Sequence, residues 1–263
     1  MPDDVEDVDD VADVPGVHVP RVVRLMWGLD EPARRGPKPA LTITDIAAEG
    51  VAVADADGLA AVSMARVAKG LGFTTMSLYR YVESKDDLLV AMVDHAFGPP
   101  DLPRQLARAW RRWLTAWAHA YRAALLRHPW ILQVPITEPP LAPHQTAWME
   151  RGLQALAHTG LSEQQKLSSM LLIDVFVRGQ TQLALGIDPP QPAAAGTADG
   201  ERPLDPYPLR LAQLIDEERF PAISAALASG SLEDDSDFGT DEFEFGLGTV
   251  LDGIERLVAG RAR

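Results

Sequence analysis

Between Ser63 and Lys85 the chain gathers side chains suited to holding a nucleic acid rather than to making or breaking bonds. The run TTMSLYRYV, Thr74 to Val82, opens with small or hydrogen-bonding groups and continues into two phenols, and Lys85 follows closely. At the start of a helix, Thr75, Met76 and Ser77 suit close approach to base edges in a groove. Tyr79, Tyr81, Lys85 and the N-termini of helices capped by Ser63 and Thr74 suit phosphate oxygens, which accept hydrogen bonds from hydroxyl, ammonium and free backbone N–H groups. For Tyr79 and Tyr81, packing inside a small domain is the competing use. One side chain can serve both ends, its ring buried and its hydroxyl reaching out.

Catalytic patterns are absent from the sequence. The six histidines, at positions 18, 95, 119, 128, 144 and 158, never fall at the His-x-x-x-His or Glu-x-x-His spacing that aligns metal ligands on one helical face. No Ser-His-Asp order, glycine-rich phosphate loop or paired-carboxylate motif stands out. With no cysteine, disulfides and thiolate metal sites are excluded, and a reducing compartment fits. The residues therefore predict no catalytic group, no metal and no cofactor.

The candidate side chains need helices to hold them, and the apolar spacing supplies these. From Thr42, an N-cap, Ile43, Ile46, Ala47, Gly50 and Val51 follow helical spacing until Asp57-Gly58. Ser63 caps a short helix with Val67, Ala68 and Leu71 inward, and Gly70 and Gly72 supply a tight turn. Thr74 or Thr75 caps the next helix, in which Leu78 and Val82 face the core. Ser84 with Asp87 forms a near capping box for a fourth helix, stopped by Gly98-Pro99-Pro100. Two short helices joined by a glycine-containing turn, the second presenting hydroxyls, form a helix-turn-helix.

A net charge of −14 argues against nucleic acid until it is located. Residues 1–14 hold seven acids and no base, and residues 231–245 hold seven more and no base, together equal to the whole excess. From Arg34 to Lys85 seven bases face five acids, a local excess of two positive charges on the segment that would meet phosphates. The N-terminus lacks a basic leader, and no run approaches the roughly 18 consecutive apolar residues of a spanning helix, so a soluble, cytoplasmic chain without a membrane partner is expected.

The stretch VAKGLGFTTMSLYRYVESKDDLLVAMVDHAF resembles the DNA-binding domain of the tetracycline-repressor (TetR) family. The likeness rests on Gly72-Phe73, then Ser77-Leu78-Tyr79-x-Tyr81-Val82, then Lys85-Asp86-x-Leu88-Leu89, across helices from Thr42 to Phe97. It implies base contacts from Thr75, Met76, Ser77 and Arg80, and phosphate contacts from Ser63, Tyr79, Tyr81 and Lys85. Arginine paired with guanine is the commonest specific base contact, which favours Arg80 over a plain surface charge. Met64 and Ala65 stand where relatives often carry a polar contact residue, so the first helix of the motif contributes less. Arg34, Arg35 and Lys38 resemble basic arms that reach a neighbouring groove or the backbone, with a solvated linker as the alternative. Repression is implied as the usual outcome; an activator, or a helical interaction protein that binds no DNA, are the other readings.

Beyond Pro100 the spacing stays helical and no strand pattern appears, so the chain reads as all-α. Expected helices run from Arg104 to about Arg127, Pro143 to His158, Ser162 to about Gly186, Leu209 to about Ser229 and Glu242 to Ala259. The organisation expected is an acidic disordered tail and tether (1–33), a basic arm with the helix-turn-helix domain (34–98), and a larger helical domain for effector binding and dimerisation (99–263) with a mobile loop at about 188–208. The ending FEFGLGTVLDGIERLVAG also resembles the closing helix of the family's tetracycline-repressor branch.

Large aromatics on one face are either core or the walls of a small-molecule pocket. On the pocket reading the candidates are Trp110, Trp113, Trp117, Trp130, His144, Trp148, Met170, Asp174 and Phe176, apolar walls with a few polar groups between. A single helix-turn-helix reads few base pairs, and a two-fold dimer sets two of them about 34 Å apart. A homodimer through a four-helix bundle, Leu167–Leu185 and Phe243–Val258 from each chain, is therefore expected. Its partners would be double-stranded operator DNA and a small-molecule effector.

Overall fold

A computed structural model describes residues 17–29, 41–102, 109–187, 206–232 and 238–261. Arg34, Arg35 and Lys38, the acidic start and nearly all of the expected 188–208 loop lie outside the described residues. Among the described residues the regular structure is helical throughout: α1 (Arg21–Met26), α2 (Ile43–Asp57), α3 (Met64–Gly70), α4 (Thr75–Leu78), α5 (Lys85–Phe97), α6 (Trp110–Arg127), α7 (Pro143–Leu156), α8 (Glu163–Ile187), α9 (Tyr207–Ala212), α10 (Pro221–Ala228) and α11 (Phe238–Arg261). Short 3-10 turns occupy Leu59–Ala61 and Pro129–Gln133.

The chain forms two compact units, one ending at Ala157 and the other starting at His158. Helices α6 and α7 pack with the earlier helices in the first unit. In the first unit α2 and α5 share a core of Ile46, Ala47, Val51, Leu88, Ala91 and Met92. They approach closely at Gly50, where a Cβ would stand 2.7 Å from the Met92 sulfur. The first forty residues are not all tail: α1 buries Val22 and Val23 against this core, and Trp27 Nε1 donates to the Leu141 carbonyl at 2.8 Å.

The second unit is built on α8 and α11, with Met170, Ile173 and Val177 buried on one and Phe243, Leu247, Leu251 and Ile254 on the other. The helix expected from Leu209 to Ser229 is two helices. Asp216 Oδ1 accepts the backbone N–H groups of Glu218 (2.8 Å) and Arg219 (3.3 Å), a local turn that competes with helix, and Pro221 starts α10 afresh. Among the described residues α8 alone is long and apolar enough, by length and composition, to cross a membrane. The sequence criterion of consecutive apolar residues misses it because Asp174, Arg178, Gln180 and Gln182 interrupt the run.

Candidate nucleic-acid interface

Local capping sets the helices that carry the interface. Thr42 and Asp45 form a reciprocal capping box at the start of α2, Ser63 Oγ accepts the Arg66 N–H at 3.2 Å, and Ser84 Oγ accepts the Asp87 N–H at 3.0 Å. The Asp87 carboxylate reaches the Glu83 N–H (2.8 Å), one residue earlier than a full capping box requires. Between α3 and α4 the turn passes through Gly72 at φ +74°, a conformation that costs other residues a steric penalty. The turn is closed by Phe73 N–H donating to the Ala68 carbonyl at 2.9 Å.

Regular α-helix in the second element is short, Thr75–Leu78, but the chain stays coiled beyond it. Tyr79 N–H donates to Thr75 O, and Val82 and Tyr81 N–H both donate to Leu78 O. One face of this segment is sealed, with Leu78 and Val82 at 0% exposure, and Val67 and Ala68 of α3 are buried with it. Leu71, expected inward, is half-buried. The other face stands in solvent: Met76 is 73% and Tyr79 44% exposed, and Arg80 and Lys85 are exposed. Thr75 and Ser77 are half-buried, and Ser77 Oγ lies 3.0 Å from Thr74 Oγ1.

The two tyrosines part company here. Tyr81 is half-buried and its hydroxyl donates to the Leu41 carbonyl at 2.7 Å, so its proton is committed within the chain, where α2 begins, rather than directed to phosphate. Sequence reasoning passed over two cations of α3 that are also exposed, Arg66 and Lys69; Arg66 is paired with Asp57.

Known proteins share both parts of this arrangement. A family model described as "Bacterial regulatory proteins, tetR family" matches residues 46–92, and one described as "Tetracyclin repressor-like, C-terminal domain" matches residues 102–258. The chain is 37% identical over 246 residues to the HTH-type transcriptional repressor DrrR1 of Streptomyces coeruleorubidus, spanning 92% of this chain and 88% of the relative. The chain belongs to the TetR family. It is a DNA-binding transcriptional regulator and not an enzyme. A regulator of Saccharopolyspora erythraea is 33% identical over 142 residues, 54% of this chain and 60% of that protein. The fold is shared with ActR of Streptomyces coelicolor solved in complex with actinorhodin, at a TM-score of 0.69 and 24% identity over 87% of this chain and all of that one.

In this TetR-family chain the pocket candidates divide between the two units. Trp113, Trp117 and Trp148 are buried and already hydrogen-bonded, their Nε1 groups donating to the carbonyls of Arg151, Trp148 and Gly98 at 2.9, 2.9 and 3.0 Å. Trp117 stacks on Tyr121 and Tyr121 on Phe97, with Trp148 edge-on to all three, so this cluster is the core that joins α5, α6 and α7. Trp130 stands apart from it and donates to Asp55 Oδ1 at 2.7 Å, while Trp110 is half-buried. In the second unit Met170 is buried, Asp174 pairs with Arg178 at 3.2 Å, and Phe176 lies against Phe243 and over Gly246.

A buried carboxylate that the sequence reading passed over lies at the end of α5. Asp94 is 2% exposed, and it accepts the Gln145 N–H at 2.9 Å and meets His144 Nδ1 at 3.1 Å. Burial raises its pKa above the ordinary 3.8, against the opposing pull of the Gln145 N–H and the His144 charge. The neighbouring His95 is shifted the other way, below 6.5, by burial and then by the charge of His144.

Proposed function

We propose that this chain is a homodimeric repressor that leaves its operator when a small molecule binds the helices beyond residue 98. The observation that carries the DNA-reading part is the two-faced segment from Thr75 to Val82, sealed at Leu78 and Val82 and open at Met76, Tyr79 and Arg80. Thr75, Met76, Ser77 and Arg80 read base edges. Tyr79, Lys85 and the Ser63 hydroxyl hold phosphates, Tyr81 fixes the segment to the start of α2, and Arg34, Arg35 and Lys38 add charge from the arm.

Dimerisation is supported by the outer faces of α8 and α11. Leu171, Leu172, Val175 and Leu183 are 51–63% exposed, and Phe245 is 74% exposed. Gly179, Gly186, Gly248 and Gly253 lie within these helices, and among the described residues no atom outside the local helix backbone comes within 4 Å of where a Cβ would sit. Each glycine costs a helix about 1 kcal/mol relative to alanine. Close approach of a second copy's helices would use that vacancy and would cover the apolar face. A membrane would not suit α8, because Asp174, Arg178, Gln180 and Gln182 would enter hydrocarbon with it.

Repression is the activity named for DrrR1, and ActR, which shares this fold, was solved in complex with actinorhodin. Candidates remain in each unit: Trp110 and His144 in the first, with Trp113, Trp117 and Trp148 forming the core beside them and Trp130 held on Asp55, and Met170, Asp174 and Phe176 in the second. The regulator works in the cytoplasm, where its operator is. Selection of bound duplexes from a random pool tests this reading. It should return a two-fold symmetric site with half-sites about 10 base pairs apart; failure to enrich any sequence overturns it.

A further inference from the structure

Two carboxylates sit on α2 and α5, the helices that flank the DNA-reading segment in the chain. Asp55 on α2 receives Trp130 Nε1 at 2.7 Å and His128 Nδ1 at 2.9 Å. Asp94 on α5 receives the Gln145 N–H on Oδ1 at 2.9 Å, and His144 Nδ1 lies 3.1 Å from its Oδ2 as an ion-pair contact while bonding to the Asp94 backbone carbonyl at 3.1 Å. Each carboxylate thus faces one imidazole and accepts an N–H from the chain beyond Pro100. Helix α7 starts after Ala142, whose methyl group cannot accept a hydrogen bond, and its start has no local side-chain cap. Asp94 supplies that cap from α5, where the positive end of the helix dipole favours a carboxylate.

Apolar contact holds helices together without fixing their rotation, because the hydrophobic effect is not directional. Hydrogen bonds to carboxylates on two different helices fix both rotation and distance. Burying a charge works against folding, and burial raises the pKa of Asp94. Its bond to the Gln145 N–H gives the packing of α5 on α7 a direction that apolar contact lacks.

We infer that Asp94 and Asp55 are positioning residues for operator recognition, holding α2–α5 at a set angle on α6–α7 so that the recognition segments of a dimer meet successive turns of DNA. This rests on the reading of Thr75 to Val82 as the DNA-reading segment. Specific binding needs that fixed geometry, whereas phosphate contact with any duplex tolerates a tilt. Loosening the joints should therefore weaken specific binding and spare non-specific binding.

The test compares affinities of the full chain and its variants for a duplex selected by the wild type and for a shuffled duplex of the same composition. Asp94→Leu should lower affinity for the selected duplex by about tenfold or more and for the shuffled one by less than about twofold. Asp94→Asn keeps an acceptor for the Gln145 N–H and should recover affinity to within about threefold of wild type. His144→Ala removes a group that is 37% exposed, so it spares the fold even where Asp94→Leu does not, and should lose about threefold on the selected duplex alone. Asp55→Leu should repeat the Asp94→Leu pattern. Equal losses on both duplexes, or unchanged discrimination in Asp94→Leu and His144→Ala, would overturn the inference. A wild type with no preference between duplexes would overturn the DNA-reading assignment itself, and this inference with it.

Discussion

Tyr79 and Tyr81 stand two residues apart in sequence, yet removing their hydroxyls should damage different properties. Tyr81→Phe deletes the donor to the Leu41 carbonyl, a 2.7 Å bond beside a side chain only 5% exposed. A carbonyl left without a donor there costs about 1–2 kcal/mol, which for a chain of this size lowers the melting temperature by roughly 2–8 °C. Tyr79→Phe removes an exposed hydroxyl and should leave stability within about 0.5 kcal/mol of wild type. Its effect belongs to DNA: one hydrogen bond from a neutral, solvent-exposed hydroxyl to phosphate is worth about 1 kcal/mol per subunit, hence roughly thirtyfold in the Kd of a dimer that makes it twice. The salt slope should not change, because no charge is lost. Thermal melts at one protein concentration and DNA titrations at several salt concentrations separate the two effects. Equal losses of melting temperature in both variants, with Tyr79→Phe binding DNA normally, would refute the assignment of the two faces.

Arg80→Ala should relax discrimination at one base pair per half-site by about 1–3 kcal/mol, whereas Lys85→Ala should weaken binding to all sequences and lower the salt slope by about one per subunit; binding to single-substituted duplexes distinguishes them. Val175→Asp, on the outer face of α8, should convert the proposed dimer to a monomer in light scattering while leaving helical content intact, and a dimer that persists would move the interface elsewhere. The fold favours the neutral ring of His95, so as pH falls through 6.5 the unfolded chain takes up a proton that the folded chain resists, and stability declines. His95→Gln should flatten that decline in urea titrations; an unchanged slope would place its cause at another group.

What the sequence disclosed follows the range of the interactions involved. Thr42, Ser63 and Ser84 were readable as caps because each accepts an N–H three residues ahead. The turn at Gly72 was readable for the same local reason. Helix α1 escaped because six residues are too few to display a period against Pro and Gly on either side. The break between α9 and α10 escaped because apolar spacing continues across it, and only the Asp216 side chain interrupts the backbone ladder.

The joints at Asp55 and Asp94 join residues up to 75 positions apart, and no local pattern announces them. The one available signal was a carboxylate at Asp94 three residues after Ala91, near the buried face of an amphipathic helix. The tryptophans illustrate the same limit. Their spacing shows a shared face, but whether that face meets a ligand or a neighbouring helix depends on α7, whose carbonyls accept two of the indole N–H groups.

Retardation of the wild-type-selected duplex by the combined Tyr79→Phe, Arg80→Ala, Lys85→Ala variant tests the central claim most directly. The exposed face of α4 and the start of α5 predict a folded protein, with wild-type helical content and melting temperature, that no longer retards that duplex at concentrations saturating for the wild type. Equal retardation by the folded variant and the wild type would show that this face does not read DNA.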